Sequence, residues 1–195
     1  ARAIFEATIE ASHDSNPIVP EIMIPLVSAK REVELVKSRI EAVAADVRSK
    51  KGVDFDFKLG VMVETPRAAL RADEIALNSS FLSFGTNDLT QMTYGLSRDD
   101  AGRFMAAYVQ QELFPEDPFH TLDKDGVGEL LMLGVERARK ANPEVVVSIC
   151  GEHGGSPESI AFFRAHGFDY VSCSPFRVPV ARLAAAQLAI SSRTS

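Results

Sequence analysis

Five short apolar runs separated by longer segments of helical period constrain this chain more than any other feature, because that alternation is the pattern of parallel strands joined by crossover helices. The runs fall at 22–27, 58–64, 81–84, 145–150 and 170–173. Between the first two, Val33, Val36, Ile40, Val43 and Val47 recur at steps of three and four, so a helix with one apolar stripe is expected over 28–51. Ser28 is placed to cap it and Gly52 to end it. Thr65 at an N-cap position and Pro66 at the first helical position predict a helix over 66–77. Further helices are expected near 89–96 and 102–112, over 127–141 from the spacing of Val127, Leu131, Gly134 and Ala138, and over 157–166 and 178–190; the loop 114–119 is the longest insertion. Five strand-then-helix units fit part of a (β/α)8 barrel or an open doubly wound sheet, and both keep their chemistry at the carboxyl ends of the strands. The pattern alone leaves that choice open, and 195 residues fall short of the ~250 usual for a full barrel.

With 46% hydrophobic and 25% charged residues the chain has the composition of a soluble globular protein, and its length suits one domain over 1–195. A net charge of −6 argues against a nucleic-acid partner, which needs clustered Lys and Arg. Lys30, Arg31, Lys37, Arg39, Arg48, Lys50 and Lys51 alternate with acids and read as a solvated helix face. No apolar run approaches the ~20 residues that span a bilayer, so no membrane partner is expected. The chain opens at Ala1 without a Met and runs at once into a helical pattern, which suggests processing or a fragment. Two cysteines, Cys150 and Cys173, stand at strand ends beside polar residues, a pattern that suits a reducing, cytosol-like compartment better than a disulfide framework.

Three of the runs end in reactive side chains: one in Glu64, one in Gly85, Thr86, Asn87 and Asp88, and one in Cys150 followed by Gly151, Glu152, His153, Gly154 and Gly155. Polar groups at the end of a buried strand need partners, either a ligand or a structural cap. Glu64 and Asp88 end consecutive runs and would share one rim, where two carboxylates with open positions suit Mg²⁺. The plainer alternative for each is a helix cap or a strand-end salt bridge. Gly85 permits close backbone approach, and Thr86 and Asn87 add donors at a helix start, a place suited to anions; the alternative is a tight turn capped by Asn87 or Asp88. Cys150 is the candidate with a proton to give, since an unperturbed thiol titrates near ~8.5, or else a small buried hydrophobe. The glycines around it leave room for a ligand, and Glu152 or His153 could orient it. Cys173 reads as core, and His13, His120 and His166 as surface residues. His153 either supports the site or joins that surface group.

Together these motifs resemble the phosphoenolpyruvate/pyruvate domain of the phosphoenolpyruvate-utilising enzyme family. The resemblance covers nearly the whole chain and is carried by Glu21 to Val27, Phe81 to Arg98, Cys150 to Gly155 and Tyr170 to Pro179. Phosphoenolpyruvate synthase and enzyme I of the sugar phosphotransferase system share the Asn-Asp turn but differ after the cysteine, where Glu152 to Gly155 is similar to the dikinase branch. The resemblance implies the last five units of a (β/α)8 TIM barrel, forming the carboxyl-terminal part of a substrate-binding domain in a larger multidomain enzyme. It implies Glu64 and Asp88 as Mg²⁺ ligands, Glu64, Gly85, Thr86, Asn87 and Asp88 as substrate contacts, and Cys150 as the proton donor. Arg98 would touch the substrate phosphate, or else form an exposed salt bridge.

The implied reaction interconverts ATP, phosphate and pyruvate with AMP, diphosphate and phosphoenolpyruvate, the phosphoryl group arriving from a phosphohistidine domain of the same parent chain. Mg²⁺ would stabilise the enolate of pyruvate, and in reverse Cys150 would protonate the methylene carbon. No histidine here has the setting of that phosphohistidine, and the family's ATP-binding domain and two further arginines lie outside the chain. The isolated chain is therefore expected to be incomplete. The expected parent is a homo-oligomer in the cytoplasm, or in a plastid if it comes from a plant. The alternatives are a phosphoenolpyruvate synthase or enzyme I type domain, another Mg²⁺-enolate barrel of aldolase or lyase type, and a catalytically inert fragment.

Overall fold

The computed structural model describes residues 1–12 and 16–191, so the expectation for His13 lies outside the described residues. The elements run α1 (Arg2–Ala11), β1 (Glu21–Ile24), α2 (Lys30–Lys51), β2 (Lys58–Val63), α3 (Pro66–Leu70), α4 (Ala72–Ala76), β3 (Phe81–Gly85), α5 (Thr86–Tyr94), α6 (Arg98–Ala101), α7 (Met105–Gln110), α8 (Val127–Ala141), β4 (Val146–Cys150), α9 (Pro157–Ala165), β5 (Tyr170–Val171) and α10 (Val178–Ser191). Short 3₁₀ turns occupy Glu152–Gly155 and Pro175–Arg177.

All five strands are parallel and pair in chain order, β1-β2-β3-β4-β5. Among the described strands the order never reverses, so the sheet lacks the switch point of a doubly wound fold. One sheet face carries Leu59, Val61, Val63, Leu82, Phe84, Val147 and Ile149, buried in one core with the apolar stripes of α3, α4 and α8. Gly134 lets α8 come close, since a Cβ there would lie 2.8 Å from the Phe84 ring. The other face alternates by the period of two and bears Met23, Gly60, Met62, Phe81, Ser83, Val146, Ser148 and Tyr170. Its small and polar residues differ sharply from the helix-covered side, and Met23, Val146 and Tyr170 are 41%, 37% and 44% exposed.

Local signals account for much of this. Thr65 caps α3 by accepting from the Ala68 N–H at 3.1 Å, and Oγ1 lies 3.2 Å from the Val27 carbonyl, which ties β1 to the end of β2. Gly52 ends α2 in the left-handed region, at φ 65°, and the basic residues of that helix pair with acids, Lys30 and Arg31 with Glu34 and Lys50 with Asp46. Ser28 does not cap α2. The Glu32 carboxylate takes that place, accepting from the Ser28 and Ala29 N–H groups at 2.7 and 2.8 Å, while Ser28 Oγ faces Thr65 Oγ1. β1 stops short of residue 27, because Pro25 offers no N–H and Leu26 turns left-handed, at φ 52°. The helix expected over 66–77 is two helices broken at Arg71, where φ −115° and ψ 26° leave the helical region. The expected 102–112 helix is α7 alone, preceded by α6. Both pack on a small separate core of Ala101, Met105 and Phe119. Among the described residues, no helix is long and apolar enough to cross a membrane.

Candidate active site

Strand register brings the reactive ends together. Val63 pairs with Phe84, Phe84 with Ile149 and Gly85 with Cys150, so Glu64, Gly85 and Cys150 stand at one level on adjacent strands. Residues at one level of a parallel sheet share a face, here the one opposite the helices.

Glu64 is 8% exposed, and its Oε1 accepts from the Leu26 N–H at 2.7 Å. Leu26 makes this bond while holding a left-handed φ of 52°, unfavourable for a bulky side chain. Burial pushes the Glu64 carboxyl above its ordinary value; the Leu26 N–H opposes this, and the charge of Asp88 adds to it. Gly85 lies against the same carboxylate, since a Cβ there would sit 2.9 Å from Glu64 Cβ and 3.1 Å from Oε2. The missing Cβ at Gly85 thus leaves the room that the Glu64 side chain occupies.

α5 begins at Thr86, earlier than the expected residue 89, and its cap position belongs to Gly85. Asn87 and Asp88 therefore lie in the first turn and neither serves as a cap. Asp88 accepts from Gln91 Nε2 at 3.1 Å, and Asn87 Oδ1 accepts from the Glu152 N–H at 3.1 Å, leaving the Asn87 amide nitrogen as a donor without a partner among the described residues. Thr86 is fully buried, and its hydroxyl donates to the Cys150 carbonyl at 3.2 Å. Of the expected substrate contacts, Thr86 alone has its side chain engaged in holding β3 and β4 together; what it can offer a ligand is its first-turn N–H.

Cys150 is a free, half-buried thiol, pushed above its ordinary value first by burial and then by the charge of Glu64. Gly151 follows at φ 124° and ψ −176°, and a Cβ there would meet Thr86 Oγ1 at 2.6 Å and Asn87 Oδ1 at 3.1 Å. His153 is no surface residue: it is 0% exposed, its Nε2 lies 2.8 Å from the Pro118 carbonyl, and burial holds it below its ordinary value. It fastens the 114–119 loop over the turn after Cys150. Cys173 is half-buried against Ile160, Ala181 and Ala184, while His120 and His166 are exposed, as expected.

Arg98 reaches the rim of the same site, its Nη2 3.7 Å from Glu152 Oε1, and its backbone N–H donates to Gln91 Oε1 at 2.7 Å. Gln91 therefore links Asp88 to Arg98. Its position three residues after Asp88 on a helix was a readable signal. Leu26 carried no such signal, because its part is played by a backbone N–H.

The chain matches a family described as PEP-utilising enzyme, PEP-binding domain, over residues 1–190. It belongs to that family. The domain is 57% identical over 194 residues to pyruvate, phosphate dikinase of Rhizobium meliloti (strain 1021), covering 99% of this chain and 22% of that protein. It is 53% identical over 189 residues to the chloroplastic pyruvate, phosphate dikinase of Flaveria pringlei (97% of this chain, 20% of that one). With the pyruvate, phosphate dikinase of Clostridium symbiosum it shares 52% over 193 residues (98% and 22%). The PEP-binding domain thus spans between 20% and 22% of the length of these relatives. A citrate lyase crystal structure from Burkholderia xenovorans LB400 shares the fold, with a TM-score of 0.58 and 17% identity, over 94% of this chain and 53% of that one.

Among the described residues no group of three or more His, Cys, Asp or Glu is arranged to hold a metal ion. The PEP-binding domain instead presents one pair, Glu64 and Asp88, close enough for the second to raise the first. A cation would relieve that repulsion, and Mg²⁺ is the ion commonly held by one or two carboxylates, with waters and substrate oxygens completing its shell. Without metal, the raised carboxyl of Glu64 has a consequence for stability. A folded-state value above the unfolded one favours the fold at low pH, and that stability is lost as pH rises through the folded value. Glu64→Gln, which keeps an acceptor for Leu26, is therefore expected to melt at a higher temperature than the parent protein at pH 7 without metal. The gap should close as pH falls below about 4, and a constant gap from pH 4 to 8 in thermal melts would contradict it.

Proposed function

We propose that this domain is the pyruvate/phosphoenolpyruvate site of a pyruvate, phosphate dikinase and forms the last five units of a (β/α)8 barrel. The observation that carries the reading is the convergence of Glu64, Asp88, Asn87 and Cys150 at the carboxyl ends of adjacent strands, on the sheet face opposite the helices. The barrel part is supported by the unbroken strand order and by Met23, Val146 and Tyr170, left exposed where further strands would enclose them. Identities of 52–57% favour the dikinase over the phosphoenolpyruvate synthase and enzyme I readings.

Glu64 and Asp88 would hold Mg²⁺, which when bound supplies Lewis-acid stabilisation of the enolate oxygen. Asn87 Nδ2 and the free N–H groups of the first turn of α5 offer donors to the substrate's anionic groups. Cys150, kept protonated by burial and by Glu64, gives its proton to the methylene carbon when phosphoenolpyruvate is consumed, and its thiolate removes a methyl proton in the opposite direction. The phosphoryl group passes between the enolate oxygen and a phosphohistidine on another domain of the parent chain. Both bacterial and chloroplastic relatives exist, so the cytoplasm or a plastid is the proposed compartment.

Calorimetric titration of the full-length parent enzyme with oxalate, a planar mimic of enolpyruvate, tests this. Binding should require Mg²⁺ and weaken at least about tenfold in Glu64→Gln and in Asp88→Asn, since even groups that only support a metal ligand cost that much when removed. Oxalate binding that ignores Mg²⁺, or survives both substitutions, would overturn the assignment.

A further inference from the structure

Three glycines follow Cys150, and each is required by a different neighbour. Gly151 fits beneath Thr86 and Asn87, a Cβ on Gly154 would lie 2.2 Å from the Ser172 carbonyl oxygen, and one on Gly155 would lie 2.3 Å from Arg177 Cδ. The third contact brings in a residue from beyond β5. Arg177 ends the 3₁₀ turn Pro175–Arg177, and its aliphatic stem rests on Gly155. Its Nη1 donates to the Glu152 carbonyl oxygen at 3.1 Å and lies 3.3 Å from Glu152 Oε2. Arg98 approaches the other oxygen of that carboxylate, and Asn87 holds the Glu152 N–H. Glu152 is thus fixed through its N–H, its carbonyl and its carboxylate, two residues after Cys150. Arg177 and Cys150 also share the wall of one small cavity of about 200 Å³, to which Glu152 and Ser172 contribute.

Resting on the reading of Cys150 as the proton donor, we propose that Arg177 is a positioning residue for that step. It acts through Glu152, clamping the 151–155 turn so that the thiol stays aimed at the substrate's methylene carbon. The arrangement suits this role better than a purely structural one. Arg177 and Glu152 are both partly exposed, and exposed ion pairs add little to global stability. A single guanidinium nitrogen held between the carbonyl and the carboxylate of one residue, by contrast, ties both the backbone and the side chain of Glu152 to one point and so fixes the path of the turn. Proton transfer to carbon is sensitive to small displacements of the donor.

The test compares Arg177→Gln, Arg177→Lys and Glu152→Gln in the full-length parent enzyme, reading kcat and KM for phosphoenolpyruvate and the Kd of oxalate with Mg²⁺. In Arg177→Gln, kcat should fall about 10- to 100-fold while KM and the oxalate Kd stay within about twofold, the pattern of a group that acts on the step and not on binding. Arg177→Lys, which keeps a donor for the Glu152 carbonyl, should recover part of the loss, and Glu152→Gln should show a smaller fall. Unchanged kcat in Arg177→Gln would overturn the proposal. So would an oxalate Kd that weakens in step with kcat, because Arg177 would then be a ligand contact. If Arg177→Gln does not fold, unchanged kcat in both other variants overturns it equally. Failure of the wild-type enzyme to bind oxalate is a separate result, which sinks the underlying reading of the site and the positioning role with it.

Discussion

Cys150→Ala in the full-length parent enzyme is expected to lower turnover by ~10²–10⁴-fold, the usual contribution of a general acid, and to leave the proposed Mg²⁺-dependent oxalate binding near wild type. The two readouts separate because oxalate has no carbon to protonate, so its affinity does not need the donor. The environment of the thiol suits a group that carries a proton. Burial and the charge of Glu64 push the Cys150 thiol above its ordinary value, so at neutral pH it holds a proton to deliver. Among the described residues at its level on the sheet, Gly85 has no side chain and Glu64 is held by the Leu26 N–H, while the nearby His153 is turned to the Pro118 carbonyl. Wild-type turnover in the alanine variant would remove Cys150 from the mechanism. Loss of oxalate binding with turnover would make it a ligand contact instead.

Gly151→Ala is expected to cost nearly as much without touching a reactive atom. At φ 124° and ψ −176° the backbone occupies a region that is essentially glycine-only, at a cost of about 1–3 kcal/mol for other residues. The added Cβ would also sit 2.6 Å from Thr86 Oγ1 and 3.1 Å from Asn87 Oδ1. Neither oxygen can retreat freely, because the first is bonded to the Cys150 carbonyl and the second to the Glu152 N–H. Relief of the clash breaks one or both bonds and moves the cysteine turn relative to Glu64. Displacement of that order costs about 100-fold in kcat, with a loss of a few kcal/mol in urea unfolding. Gly52→Ala is the matched control: its φ of 65° is also left-handed, but nothing lies within 4 Å of the added carbon and it stands at the end of α2. It should cost about 1 kcal/mol and leave turnover unchanged. A Gly151→Ala enzyme as active as that control would show that the turn geometry does not govern the cysteine.

The elements that could be read from the sequence are those whose causes lie within a few residues. The 3.6-residue spacing of Val127, Leu131, Gly134 and Ala138 predicts α8 at its observed bounds, Val127–Ala141. Thr65 and Pro66 mark the start of α3, and Gly52 the end of α2. Where a competing partner lies nearby, a local signal misplaces the cap or the helix start. Glu32 displaced Ser28 as the cap of α2, and α5 took in Thr86, Asn87 and Asp88 as its first turn. That shift bears on chemistry, since it releases Asn87 and Asp88 from capping.

Reactive residue types at three strand ends, and the motifs that connect them with a family, were set by the sequence alone. How those residues meet was decided by tertiary structure, because the bonds that join them span long distances along the chain. Leu26 reaches Glu64 across 38 residues, Asn87 reaches Glu152 across 65, and Arg177 reaches Glu152 across 25. Such contacts depend on the register of parallel strands, which is set only when the apolar face is buried against α3, α4 and α8. The same register puts Glu64, Gly85 and Cys150 at one level and buries His153 under the 114–119 loop. Composition and periodicity act over a few residues; register is a property of the packed sheet, and so only the fold could turn three polar strand ends into one site.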